Sequence, residues 1–169
     1  MFVLTPLEGR RTYARASRRQ QATPDIPRPR LAVSEAALDG RTFGVVLDTS
    51  GSMDRPLLAR ALGAIASYAA SRGVPAVRVV FCDASPHDAG YLRPEELAGR
   101  VRVHGRGGTV LQPGIDLLAR AADFPARGPL LIITDGACDR LKVGREHAFL
   151  LPRGGALPFA PRGPVFRVD

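Results

Sequence analysis

Two unbroken apolar runs, each closed by an aspartate, constrain this chain more than any other feature. Residues 43–47 read Phe-Gly-Val-Val-Leu and lead into Asp48; residues 129–134 read Pro-Leu-Leu-Ile-Ile-Thr and lead into Asp135. Neither run alternates apolar with polar residues, as expected of strands buried on both faces. Between them lie a third apolar run at 76–82 and segments of helical periodicity. Leu58, Ala61, Leu62, Ile65 and Ala69 recur on one helical face after Pro56, which suits a first-turn position. Gly73 and Pro75 close that helix. Residues 87–92 are expected to fold back on the 76–82 strand as a hairpin, and residues 94–98 to start a short helix. A further helix is expected over 113–122, with Ile115, Leu118, Ala119 and Ala122 on its buried face. Residues 148–151 and 165–168 read as short edge strands. Strands alternating with helices predict an α/β fold with a mostly parallel central sheet.

Residues 139–146 are too few and too polar for a full crossover helix, and eight Gly and Pro residues between 144 and 164 predict a loop-rich tail. The sheet is therefore expected to be shortened towards the C-terminus. Residues 1–40 read differently from the rest. They carry seven arginines against four acids, contributing +3 to a formal net charge of +8, and prolines interrupt residues 23–30. The domain reading is an Arg/Pro-rich arm or linker at 1–40, solvated or docked, followed by a domain at 41–169.

Composition narrows the function. No run of 18 apolar residues exists and the N-terminus lacks the pattern of a signal peptide, so a cytoplasmic protein is expected. Cys82 and Cys138 are the only cysteines and read as reduced thiols. His87, His104 and His147 are scattered, with no zinc-ligand spacing. The arginine excess suggests an acidic partner or nucleic acid, but aromatics are only 6% and no nucleic-acid-reading motif is present, which disfavours the latter.

In parallel sheets, ligand groups gather beyond the carboxyl ends of the strands. If the two Asp-terminated strands are neighbours, Asp48 and Asp135 share one crevice. Ser50 and Ser52 lie in the turn entering the first helix, and Thr109 closes the glycine-rich segment 105–109. These are hard oxygen donors of the kind that Mg²⁺ or Ca²⁺ takes. Each also has a plainer reading: the serines as helix caps, Asp135 as a turn residue, Thr109 as a loop residue.

Taken together, Asp48-Thr-Ser50-Gly-Ser52, Gly-Gly-Thr109 and Thr-Asp135-Gly resemble the metal-ion-dependent adhesion site of von Willebrand factor A (VWA) domains, in the family's order and over residues 43–169. More narrowly, the chain resembles the VWA-like C-terminal region of bacterial proteins that join a metallopeptidase-like part to such a domain. The resemblance implies a three-layer Rossmann-like fold. It implies a metal, Mg²⁺ with Mn²⁺ or Ca²⁺ as alternatives, held by Asp48, Ser50, Ser52, Thr109 and Asp135. It also implies a partner protein whose Glu or Asp completes the metal's coordination. Relatives are often linked to MoxR-type AAA+ ATPases, which makes such an ATPase the first partner to test. Asp83 and Asp139 are candidates to stand behind the ligands, and Arg106 to meet a partner's acid. The expected role is a binding module and not an enzyme. The alternatives are a Mg²⁺-dependent hydrolase or phosphoryl-transfer enzyme and nucleic-acid binding through the arginine-rich arm.

Overall fold

The computed structural model describes residues 11–12, 30–31, 41–53, 55–97 and 109–168. Most of the 1–40 arm thus lies outside the described residues, apart from β1 (Arg11–Thr12) and β2 (Arg30–Leu31), which pair antiparallel. The remaining strands form one sheet: β3 (Gly44–Asp48), β4 (Val77–Cys82), β5 (Pro86–Leu92), β6 (Leu130–Ile133), β7 (His147–Pro152) and β8 (Val165–Val168). Their order is β5-β4-β3-β6-β7-β8. All neighbours run parallel except β5, which folds back antiparallel on β4 as the hairpin expected from sequence.

Helix α1 (Arg55–Ser71) connects β3 to β4, and α2 (Pro94–Leu97) and α3 (Gln112–Arg120) follow β5. Alternate strand residues face opposite layers. Val45, Leu47, Val77 and Val79 pack with Leu58, Ala61, Leu62, Ile65 and Ala69 of α1 and with Leu97 of α2. Val46, Val80, Cys82 and Ile132 pack with Leu111, Ile115 and Leu118 on the α3 side. The result is a three-layer α/β domain. Val45, Val46 and Leu47 are fully buried, because β3 sits between two strands and two helical layers. Gly73 ends α1 at a φ of 64°, a left-handed conformation that favours glycine.

Three sequence expectations need correction. Helix α3 stops at Arg120, where Ala121 turns extended at φ −63° and ψ 119°, and Ala119 and Ala122 are exposed. The buried stripe is instead Leu111, Gly114, Ile115 and Leu118, one helical repeat earlier. Residues 147–152 are not an edge strand: β7 lies between β6 and β8, and only β8 is at the edge. The unbroken apolar run of β7 is what a strand flanked on both sides needs. The sheet itself is not shortened towards the C-terminus, since β6, β7 and β8 all pair in it; only the connections are short. Residues 134–146 and 153–164 join parallel strands without a helix, and Leu141, Val143, Leu157 and Phe159 from them cover the α3-side core. A dozen residues suffice for such a crossover. Among the described residues no helix is long and apolar enough to cross a membrane.

Candidate functional site

Chain order reverses at β3. From there the chain builds β4 and β5 on one side, then returns to place β6 on the other. Loops leaving the carboxyl ends of β3 and β6 therefore diverge and open a crevice, the usual ligand position in such sheets. Leu47 and Ile133 are register partners, so Asp48 and Thr134 come next on adjacent strands, and Asp135 follows.

Asp48 and Thr134 are fully buried. The Asp48 carboxylate accepts two hydrogen bonds, from the Ser50 backbone N–H at 3.0 Å and from the Thr134 hydroxyl at 2.9 Å. Thr134 Oγ1 in turn accepts the Gly136 N–H at 3.1 Å. Thr134 thus joins the first and third segments of the site. Sequence reading took it only as the end of a strand, although it stands in the Thr-Asp-Gly motif, where its hydroxyl was the available signal. Burial pushes the Asp48 carboxyl above the ordinary aspartate value; the Ser50 and Thr134 donors oppose this, and the charge of Asp135 adds to it. Among the described residues no basic side chain acts on it.

The serines cluster with Asp48. Ser50 is buried, and its hydroxyl lies 3.0 Å from that of exposed Ser52. Helix α1 begins only at Arg55, so neither serine is the residue flanking it. The positive end of α1 faces the same side of the sheet. Asp135 is half-buried and folds its carboxylate back on the Ala137 N–H at 2.8 Å. Gly136 makes that turn at a φ of 96°, and a Cβ there would fall 2.2 Å from the Ala156 carbonyl oxygen, so the position requires glycine.

Thr109 reaches this edge through its neighbour. The Val110 N–H donates to the Asp83 carbonyl at 3.0 Å, and Asp83 directly follows Cys82, the register partner of Asp48. Asp83 is buried, and its carboxylate accepts the Ser85 N–H at 3.0 Å and meets His87 at 3.4 Å. It fixes the loop beside Thr109 through Oδ1, the oxygen that takes both contacts. Asp139 is exposed, and its charge acts on the Cys138 thiol. Arg106 and residues 105–108 lie outside the described residues.

Among the described residues no group of three or more His, Cys, Asp or Glu side chains gathers to hold a metal. The donors here are of a different kind: two carboxylates with serine and threonine hydroxyls. Such oxygens suit a hard cation, and two carboxylates balance its charge.

A protein-family model described as a VWA-like domain (DUF2201) matches residues 43–140. The chain belongs to the VWA-like DUF2201 family. The matched stretch runs from the residue before β3 through Arg140, so it contains every candidate donor and both halves of the crevice. No curated protein matches the chain.

Proposed function

We propose that this VWA-like domain is a metal-dependent protein-binding module. Asp48, Ser50, Ser52, Thr109 and Asp135 would hold a divalent cation, Mg²⁺ first, with Mn²⁺ or Ca²⁺ as alternatives. The bound cation would supply an electrophilic position for a glutamate or aspartate of a partner protein. One observation carries the reading: among the described residues, the fully buried Asp48 carboxylate meets neutral donors and a second carboxylate. A buried carboxylate without a cation is costly, and the neighbouring hydroxyls provide the remaining oxygens a hard ion needs. The coarser role, a protein-interaction module, accords with the VWA-like family. The partner we propose to test first is a MoxR-type AAA+ ATPase, as the resemblance to bacterial relatives implies.

The test is thermal denaturation of the full chain with and without millimolar Mg²⁺, alongside Asp48→Ala. A ligand at one hundred times its Kd adds about 2.7 kcal/mol of stability. The wild-type melting temperature should rise by several degrees and that of the variant should not move. Equal responses of the two proteins would refute metal binding at Asp48. Hydrolysis of a phosphate ester that depends on Asp135 would move the reading to an enzyme.

A further inference from the structure

The turn that carries Asp135 is held from outside by a second loop. Where β7 ends, residues 152–155 form a tight turn: the Gly155 N–H donates to the Pro152 carbonyl at 3.0 Å, and Gly154, third in the turn, has a φ of 87°. This turn lies against the backbone of residues 135–136. Two glycines allow the approach, one from each side. A Cβ on Gly155 would fall 2.9 Å from the Asp135 carbonyl oxygen, just as one on Gly136 would meet the Ala156 carbonyl oxygen at 2.2 Å. The two backbones leave no room for a side chain between them.

The loop is in turn fastened to the edge strand. The Arg153 N–H donates to the Val168 carbonyl at 2.9 Å, next to the Pro152–Val168 register pair of β7 and β8. Arg167 then reaches from β8 to the Gly155 carbonyl, which accepts an Nη1 hydrogen at 2.5 Å. A charged donor makes such a bond stronger than a neutral one. Arg167 is exposed and β8 lies at the edge of the sheet, so core packing does not select an arginine here.

Contacts thus run in series: from Arg167 to Gly155, from Gly155 to the Asp135 backbone, and from the Asp135 carboxylate to the Ala137 N–H. The two carboxylates of the candidate site differ in how they are fixed. Asp48 is held within the sheet by Ser50 and Thr134. Asp135 sits beyond the end of β6, on a turn whose outer face is the 152–156 loop. Its charge is felt at Asp48, so the place of that turn sets the spacing of the pair. Outer contacts that orient a ligand in this way tune metal affinity.

We infer that Arg167 is a positioning residue for the candidate cation site: it clamps the 152–156 loop onto the Asp135 turn and so keeps the Asp135 carboxylate within reach of a cation at Asp48. The effect on metal rests on the function proposed above. The clamp itself is a property of the metal-free chain and is tested there separately.

The test uses the full chain with Arg167→Ala, an exposed change that should leave the fold standing. In metal-free protein the backbone amide resonances of Asp135, Gly136 and Ala137 should shift, while those of Ser50 and Ser52 stay in place. The Ala137 amide should exchange with solvent several-fold faster. Calorimetric titration should show Mg²⁺ binding weakened about tenfold, the lower end of the range for outer contacts of metal ligands. A second variant, Gly155→Ala, disturbs the same contact with Arg167 in place and should reproduce both effects. Unmoved 135–137 resonances in the two variants would overturn the inference, and so would shifted resonances with an unchanged Mg²⁺ affinity. Wild-type protein that takes up no Mg²⁺ would refute the function proposed above and not the clamp, which the metal-free resonances decide on their own.

Discussion

Thr134 shows how much one hydroxyl can organise. It donates to Asp48 and accepts from Gly136, with no exposure to water. Thr134→Val keeps the shape but leaves a buried carboxylate oxygen and a buried N–H without partners. Removing one side of such a bond costs about 1–3 kcal/mol. Urea unfolding should show a loss of that order, and Thr134→Ser should recover most of it. A valine variant as stable as wild type would mean that Asp48 is held by other means. At this scale the sequence was readable where chemistry is contiguous. Asp48, Ser50 and Ser52 stand within five residues after an apolar run, and Asp135 repeats the pattern. Thr134 was not singled out, because its partner is 86 positions away and a threonine at a strand end has many ordinary uses.

Helices and strands were legible to the extent that their period was sustained. All five predicted core positions of α1 are buried over its 17 residues. Helix α3 has only nine residues, too few for alanines to reveal which face is inward, and Ala119 and Ala122 were assigned to the core although they are exposed. What seats α3 is Gly114. A Cβ there would fall 2.3 Å from the Cys82 sulfur and 3.3–3.4 Å from Val80 and Val46 side chains. Alanine would gain about 1 kcal/mol of helix propensity, but overpacking typically costs about 1–3 kcal/mol. The clash involves a buried sulfur with little room, so Gly114→Ala should be net destabilising, by roughly 1–2 kcal/mol in urea unfolding. Because Leu111 and Val110 lead from α3 to Thr109, the same variant should shift the Thr109 and Asp83 amide resonances. A stabilised variant would show that α3 lifts freely from the sheet.

At the scale of the whole molecule, the pH response of the fold should report the pairing of buried Arg78 with Asp88 at the edge of the α3-side core. Burial alone would push the Asp88 carboxyl up. The Arg78 hydrogen bonds, the Gly90 N–H and the Arg78 charge together carry it below the ordinary aspartate value. A carboxyl depressed in the folded state contributes stability that is present above its unfolded value, about 3.9, and is lost as pH falls through the folded value. Sequence alone could not announce this pair. Arg78 sits in an otherwise apolar strand, and the β4–β5 register places Asp88 against Val80, with a bulge between Val79 and Val80 that no local pattern signals. Asp88 is 37% exposed, so solvent screening reduces what the pair contributes. Asp88→Asn at pH 7 should therefore cost about 2 kcal/mol, near the middle of the range for hydrogen bonds to charged groups. The gap between wild type and variant, measured by urea unfolding at successive pH values, should hold from pH 7 to 5. It should close as pH falls from about 4 towards 2, because the wild-type carboxylate is then protonated as well. A gap that stays constant down to pH 2 would mean that the Asp88→Asn variant lost packing instead of charge, and that Asp123 alone neutralises Arg78.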